Sequence, residues 1–433
     1  MSFNKTVFVA LSTMALSVDA FAQSGTNSPY SQYGLGVLSD QTSGFNRGMN
    51  GLGLAFREHN QVNHLNPASY SGVDSLTFIF DIGLSGQITN FKEGGQKLNA
   101  NNADFEYAVA AFRACKNVGV SFGILPYTNI GYSYSTTGKS SNSITSTYAN
   151  TYYGEGGLHE VYLGAGWQIF KGLSIGANFG YLWGDYSKSV TNSYTDSYAK
   201  TVSKIYSANV TSYKVDLGLQ YLQRLGKNDE LSIGATYSLG HKLDADPSCK
   251  VISTNPSTAV TDTAAYAIKD GLEIPSSISG GLMWNHSNKI KVGVDYCYQN
   301  WGSISYPVYE VNNDVPSYVL NNKYYMDRHK VTVGGEYCGD ETSRSFIKRL
   351  HLRAGASYAT PYYKINGQDG PSELSVSAGF GIPIVNSYNN RSILNISGQW
   401  VHSSAKNFIT ENTFRINIGL TFNERWFMKW KVE

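Results

Sequence analysis

Apolar and polar residues alternate with a period of two along most of the chain beyond residue 74. In one segment Val161, Leu163 and Trp167 alternate with Glu160 and Gly164. This alternation places apolar side chains on one face of a strand and polar side chains on the other. The pattern predicts fourteen strands, at about residues 74–90, 103–114, 117–135, 156–170, 172–187, 206–224, 229–243, 273–286, 289–303, 324–338, 347–360, 372–385, 391–403 and 411–423.

Two all-β architectures use amphipathic strands in this number, a soluble sandwich and a membrane barrel. The predicted connections alternate between short turns, as at 170–172, and long polar loops, as at 244–272. Short turns on one side and long loops on the other are typical of outer-membrane barrels. The apolar face also ends repeatedly in Tyr or Trp, as an interfacial aromatic girdle requires. We therefore predict a transmembrane antiparallel β-barrel of fourteen strands over residues 74–423.

The composition agrees with a chain that meets lipid through alternate residues. Only 15% of the residues are charged, against about 25% in a typical soluble domain. Aromatic residues reach 13% and include 32 Tyr, which excludes a disordered chain. The formal net charge of +2 gives no nucleic-acid footprint.

The first residues have the features of an export signal. Lys5 precedes an apolar stretch that is too short to span a bilayer, and Ala20-Phe21-Ala22 forms a small-residue cleavage site. Residues 1–22 are therefore predicted to be a removed signal peptide. Together with the barrel, this signal predicts location in the outer membrane of a Gram-negative bacterium.

Residues 23–73 do not alternate and are rich in Gly, Asn and Ser. Fourteen strands enclose more space than the wall side chains can fill, so we predict that this segment plugs the lumen. Asn66, Pro67 and Ala68 should then lie inside the barrel near the base of the first strand. The alternative is a periplasmic arm.

Residues 424–433, at the other end, are predicted to form a periplasmic tail. This tail either packs under the barrel or docks another outer-membrane or periplasmic protein.

A proline interrupts the third predicted strand. Pro126 lies between Leu125 and Tyr127, where a proline removes a ladder donor and is normally confined to edges or bulges. A closed barrel has no edge, so Pro126 predicts either a local gap in the wall or an ordinary bulge.

Charged residues on the polar face of the strands are predicted to point into the lumen, because a charge facing lipid would cost up to a few kcal/mol. Three of these are basic: Lys291, Arg353 and Arg415. They either form ion pairs and hydrogen bonds with the plug or contact the acidic head of an amphipathic ligand. The spacing does not choose between these alternatives.

No catalytic, metal or cofactor motif stands out. The eight His lie apart, and the four Cys, at 115, 249, 297 and 338, show no metal spacing. An exported protein could form disulfides, but the sequence does not pair these cysteines. We expect no enzyme activity, no metal and no cofactor.

The chain resembles the FadL/OmpP1 family of outer-membrane transporters of hydrophobic compounds. The residues that carry the resemblance are Asn66-Pro67-Ala68, Ile274-Pro275, Ile278-Ser279-Gly280-Gly281, Val294-Asp295-Tyr296, Asn300-Trp301, Leu352-Arg353-Ala354-Gly355-Ala356-Ser357-Tyr358 and Gly379-Phe380-Gly381-Ile382-Pro383. The resemblance covers nearly the whole mature chain. The tail and the sparse charge depart from the family pattern.

The resemblance implies a passive channel for hydrophobic or amphipathic small molecules such as long-chain fatty acids. Extracellular loops would capture the ligand, and it would pass the plug. It would then leave sideways through a gap at the kinked third strand, beside Leu125, Pro126 and Tyr127. The alternative is a structural barrel subunit of an outer-membrane assembly or secretion complex, without transport.

Overall fold

The computed structural model describes residues 25–139, 146–196, 198–340, 343–385 and 391–424. The predicted signal peptide and, apart from Glu424, the predicted C-terminal tail lie outside the described residues. Among the described residues, no helix has the length and apolar character needed to cross a membrane.

Fourteen antiparallel strands form a closed barrel, as the alternation predicts. Each strand pairs with its neighbours in sequence, and the first strand pairs with the last from Phe78↔Glu424 to Lys92↔Thr410. The strands are β1 Phe78–Glu93, β2 Gln96–Cys115, β3 Val118–Lys139, β4 Thr147–Phe170, β5 Leu173–Tyr194, β6 Thr201–Arg224, β7 Asp229–Ser238, β8 Ser277–His286, β9 Ile290–Gln299, β10 Arg328–Cys338, β11 His351–Ala359, β12 Ser372–Val385, β13 Arg391–Ser404 and β14 Thr410–Glu424.

Several strands extend further from the short turns than predicted. β4 and β6 each have 24 residues, whereas about 9 to 11 residues span a bilayer. The short turns mark the periplasmic side, so the extra length projects on the extracellular side. The prediction ended these strands early because their outer ends, such as Thr147–Tyr153, carry polar and aromatic residues without alternation.

Short elements in the long connections build the extracellular surface. The hairpin of Ser248–Thr254 and Thr261–Ala267 adds to the outer half of β6, and a second hairpin joins Tyr306–Asn312 to Val315–Asn321. The other short elements are the strands His241–Lys242, Glu273–Ile274, Lys364–Ile365 and Gln368–Asp369, the 3₁₀ helix Trp301–Ser303 and the helix Phe346–Arg349.

The two faces of the wall differ as the period-two pattern predicts. Outward side chains such as Leu163 and Phe179 are 61% and 63% exposed, and they form the apolar belt that faces lipid. Inward side chains such as Glu160 and Asn178 are buried, at 2% and 5%. The inward side chains are covered by the N-terminal part of the chain.

Residues 25–73, named here the lumen segment, lie among these inward side chains. The segment contains the 3₁₀ helices Pro29–Gln32 and Pro67–Gly72, the helical turn Gly44–Arg47 and the two-residue strand Val37–Leu38. It contacts inward residues on both halves of the barrel. For example, Ser71 Oγ donates to Ser174 Oγ at 3.0 Å.

Asn66 fixes the periplasmic part of the lumen segment. Its side-chain oxygen accepts from the backbone N–H of Ala68 at 3.1 Å and caps the helix Pro67–Gly72. Its Nδ2 donates to the carbonyl oxygens of Leu54 at 2.9 Å and Leu219 at 3.1 Å. These bonds join one turn of the segment to another turn and to β6.

The expected position near the base of the first strand is wrong for Asn66, Pro67 and Ala68. They pack against β4, β5 and β6, where the inward positions Gly166, Gly176 and Gly218 leave room for them. A Cβ at Gly176 would lie 2.4 Å from the carbonyl carbon of Pro67. Nearness in sequence to β1 did not fix the position, because residues 73–77 cross to β1.

We expect Gly176→Ala to loosen the lumen segment from the wall, because the added methyl group overlaps the Pro67 backbone. Overpacking of this kind costs about 1 to 3 kcal/mol. Urea unfolding in micelles and limited proteolysis of residues 25–73 would measure the effect. Gly398→Ala is the matched control, since nothing lies within 4 Å of a Cβ there. Equal stability and equal proteolysis of the two variants would contradict the packing.

Candidate lateral opening

The third strand leaves its neighbour halfway up the wall. In the described part of the chain, β2 and β3 pair only from Cys115↔Val118 to Ala108↔Ile124. On its other side β3 stays paired with β4 past Pro126↔His159, with a register shift at Tyr127. The residues of β2 from 96 to 107 therefore have no strand partner on the side where β3 would lie.

Glycines carry the bend of β3 into the next two strands. Gly156, Gly157 and Gly184 have φ of 111°, 149° and 150°, a region that other residues rarely adopt. A Cβ at Gly157 would lie 2.3 Å from the carbonyl oxygen of Thr128, and one at Gly184 would lie 2.1 Å from that of Gly157. The bend at Pro126 thus continues as a crease across β3, β4 and β5.

The lumen segment replaces β2 as the partner of β3 above the bend. Val37 and Leu38 pair antiparallel with Asn129 and Thr128. The N–H of Ser39 donates to the carbonyl oxygen of Tyr127 at 3.0 Å. These bonds satisfy backbone groups that β2 no longer reaches.

Leu125, Pro126 and Tyr127 therefore lie together at the point where β2 and β3 part. Leu125 is 3% exposed and belongs to the apolar cluster that contains Tyr70 and Tyr162. Leu125 and Tyr127 also line a cavity of about 220 Å³ in the lumen.

Both lumen cavities are lined largely by polar and charged groups. The 220 Å³ cavity contains Glu160 and Lys214, and a second cavity of about 140 Å³ contains Glu106 and Arg415. The two share residues 38–40 of the lumen segment, so this part of the segment separates them. Neither cavity has the mainly apolar lining that is typical of a hydrophobic-ligand pocket.

Asp40 joins the dividing part of the lumen segment to the wall. Its carboxylate lies 3.1 Å from Lys330 Nζ and 3.7 Å from Arg415 Nη1. Burial raises its pKa, but the charges of Lys330, Arg415 and Arg47 outweigh burial and hold the pKa well below its usual range. Asp40 is therefore a carboxylate at neutral pH.

Lys291 and Arg353 share one carboxylate on β10. Lys291 Nζ lies 2.5 Å from Glu58 of the lumen segment and 3.3 Å from Glu336. Arg353 Nε lies 2.7 Å from Glu336, and its Nη1 donates to Asn395 at 2.5 Å. Both basic groups therefore have anionic partners within the protein.

Arg415, the third of the proposed head-group residues, is held as well. Besides its contact with Asp40, its Nε donates to Gln87 Oε1 at 3.0 Å. These contacts favour the interpretation that the inward basic residues bind the lumen segment and neighbouring residues of the wall.

Further anchors of the lumen segment were not predicted. Arg47 lies 2.7 Å from Glu106, and Asp295 accepts from the N–H groups of Gly53 and Leu54 at 2.7 and 2.9 Å. Glu106 and Asp295 lie on the polar face of their strands, but their partners lie far away in sequence. Only the folded arrangement pairs them.

Tyrosines of the extracellular loops hold the outer part of the lumen segment. The carbonyl oxygen of Gly34 accepts from Lys188 Nζ at 2.7 Å and from the Tyr306 hydroxyl at 3.0 Å. The N–H of Gly34 donates to Tyr324, and the Tyr362 hydroxyl donates to the carbonyl of Gly36. The Tyr pairs at 324–325 and 362–363 in long loops were the available sequence signal for this contact.

The histidines and cysteines form no recognisable reactive centre. His59 makes an exposed contact with Asp74 at 2.8 Å, and burial lowers the pKa of His64 to about 4. The cysteines at 115, 249, 297 and 338 are free thiols. Within the described ranges, no group of three or more His, Cys, Asp or Glu could hold a metal ion.

We expect Lys291→Met to destabilise the fold by about 3 to 5 kcal/mol, because it leaves Glu58 and Glu336 buried without their shared cation. The free energy of unfolding in urea measures this loss. Arg224→Met is the matched control: its ion pair with Glu230 is on the surface, and such pairs contribute about 0 to 1 kcal/mol. Unchanged stability of Lys291→Met, together with weaker ligand binding, would favour the head-group interpretation instead.

The barrel is similar in fold to several solved structures of transport channels. The chain matches the TbuX toluene transporter of Ralstonia pickettii at a TM-score of 0.59 and 14% identity, covering 89% of this chain and 98% of that one. The TodX toluene transporter of Pseudomonas putida matches at a TM-score of 0.59 and 15% identity, and the match covers 91% of this chain and 99% of TodX. A FadL homologue of Pseudomonas aeruginosa matches at a TM-score of 0.57 and 10% identity, and the match covers 88% of this chain and 98% of the homologue. At these identities the likeness establishes the fold alone.

The sequence family differs from the one that the motifs suggested. No curated protein matches the chain. The BamG family model matches residues 3–433, which is nearly the entire sequence. The likeness to FadL-type channels therefore lies in the fold, and by sequence the chain belongs to the BamG family.

Proposed function

We propose that this protein is a passive channel in the outer membrane of a Gram-negative bacterium for hydrophobic or amphipathic small molecules. Long-chain fatty acids are the ligand type we propose. The observation that carries the proposal is the separation of β2 from β3 above Ile124, with the lumen segment as the substitute partner of β3. The strand Val37–Leu38 of the lumen segment is not part of the barrel wall. It can therefore leave β3 without breaking the pairing between any two wall strands.

The ligand path begins at the extracellular aromatic cluster. The rings of Trp301, Tyr325 and Tyr362 pack together there, with centroids 4.5 to 6.0 Å apart. The three side chains are only 0 to 6% exposed, so capture would require the loops to part and uncover these rings. From there the ligand would move to the bend at Pro126 and pass sideways into the membrane. Lateral release spares the apolar chain a transfer through water, which costs about 25 cal/mol per Å².

Passage requires the outer part of the lumen segment to move. The loops bind Gly34 and Gly36, and β3 binds Val37 and Leu38. Since loops and wall bind consecutive residues, ligand entry among the loop tyrosines would weaken both sets of contacts. Plug displacement and lateral opening are coupled in this mechanism.

A structural role in an outer-membrane assembly or secretion complex is the second candidate. It is favoured by the lumen, where the segment fills the barrel and both cavities are lined mainly by polar groups. A barrel of this kind would offer its outer surfaces to other outer-membrane or periplasmic proteins and would bind no ligand inside. Stoichiometric partners that co-purify with the barrel, without ligand uptake, would favour this candidate.

We expect a disulfide between Leu38→Cys and Thr128→Cys to block uptake. These residues are antiparallel partners, so their Cα separation lies within the range that a disulfide bridges. The bond would hold the lumen segment against β3. Uptake of a radiolabelled long-chain fatty acid by cells that produce the protein should fall to background after oxidation and recover with reductant.

Each single cysteine variant serves as the control for this experiment and should transport in both redox states. Full uptake by the oxidised double variant, with the disulfide verified by mass spectrometry, would show that the ligand does not need this segment to move. It would thereby contradict the proposed path.

We expect Pro126→Val to slow uptake and to stabilise the barrel by about 1 kcal/mol, because the new N–H can extend the pairing of β3. Uptake rate and the urea midpoint measure these effects. Pro383→Val is the matched control, since Pro383 lies in β12, away from the bend. Equal uptake by wild type and both variants would mean that the proline has no part in transport.

A further inference from the structure

The crease leaves a hollow on the lipid-facing side of the wall, opposite the lumen cavities. It is an open groove with a volume of about 530 Å³. Its lining spans β3 to β6 and includes Ile124, Val161, Tyr181, Trp183 and Asp185. Ile124 is also the last residue of β3 that pairs with β2, so the hollow begins where the wall parts.

The lining changes from apolar to polar with distance from the periplasm. Leu173–Trp183 is about the length of strand that spans a bilayer, so Trp183 lies near its outer boundary. Ile124, Val161 and Tyr181 line the membrane side of the hollow. Asp185, beyond Trp183 on the same strand, lies on the outer side together with its partner Asn209, and Thr211 is level with Trp183.

The outer rim offers an unpaired carboxylate. Asp185 faces outward, and no salt bridge to it occurs among the described residues. The ring of His159 packs at a tilt against Trp183, with centroids 5.9 Å apart. An amine-bearing group could therefore bind Asp185 directly above the aromatic rings.

We propose that this hollow binds a single membrane lipid with an amine-bearing headgroup. Its acyl chain lies on Ile124 and Val161, and its ammonium group binds Asp185. The lining is apolar toward the membrane interior and anionic toward the outside. A membrane lipid at the outer boundary has the same arrangement, with its acyl chain inside the membrane and its headgroup outside. Because the site lies outside the barrel, it does not depend on passage through the lumen.

The size of the hollow favours a lipid over a protein partner. Nine residues line it, against about 20 to 30 on each side of a standard protein interface. A concave surface that faces hydrocarbon is also in contact with acyl chains at all times. A second copy of this chain would present another convex barrel wall, which does not fit a hollow.

The test uses the full-length protein in nanodiscs that contain a trace of phosphatidylethanolamine with a photoreactive acyl chain. Cross-linked peptides are mapped by mass spectrometry. Val161→Trp fills the hollow and should lower cross-linking to its lining peptides about tenfold. Leu163→Trp, two residues along the same outward face, should leave it unchanged. Thr211→Trp fills the hollow from β6 and replaces Val161→Trp if that variant does not fold.

The headgroup is tested in the same nanodiscs by exchanging the photoreactive lipid for phosphatidylglycerol. Asp185 should favour the amine by about tenfold, and Asp185→Asn should remove this preference. Equal cross-linking of both lipids to wild type would overturn the headgroup assignment. Cross-linking that is unchanged in Val161→Trp and in Thr211→Trp would overturn the site.

Discussion

The need to pair every backbone N–H and carbonyl group within the membrane governs this structure. A barrel meets the need by closing on itself, and β1 closes on β14 here. The bend at Pro126 breaks the rule locally, since β3 turns away from β2. The chain meets the need a second time by placing Val37, Leu38 and Ser39 along β3. The parting of β2 from β3 and the placement of the lumen segment are therefore one feature of the structure.

The need to pair backbone and polar groups also explains how the lumen segment is bound to the wall and the loops. Its outer part is bound by tyrosine hydroxyls of the loops and its middle by Asp40 with Lys330 and Arg415. Its inner part fits against glycines of β4, β5 and β6. The polar lumen follows from this arrangement, because a segment that is poor in regular structure must bond its backbone and polar side chains to the wall.

The sequence was sufficient for the wall and insufficient for the contents of the lumen. Strand number and facing follow from a local period of two, so all fourteen strands were predicted. Pro126 indicated a disturbance by local chemistry alone. The pairing of Leu38 with Thr128, or of Lys291 with Glu58, depends on which distant residues meet, and no local pattern contains that information. The position of Asn66, Pro67 and Ala68 was wrong for the same reason. Glycines at 166, 176 and 218 become a shared surface only after β4, β5 and β6 align.

Hydrogen–deuterium exchange of the protein in nanodiscs tests the central claim most directly. The claim is that β2 and β3 part above Ala108 and Ile124 and that the lumen segment takes the vacant side of β3. We predict fast exchange for a large share of the amides in residues 96–106, and slow exchange in residues 108–115, 37–39 and 127–131. Residues 96–106 protected as strongly as 108–115, with fast exchange at 37–39, would show a continuous wall and contradict the account.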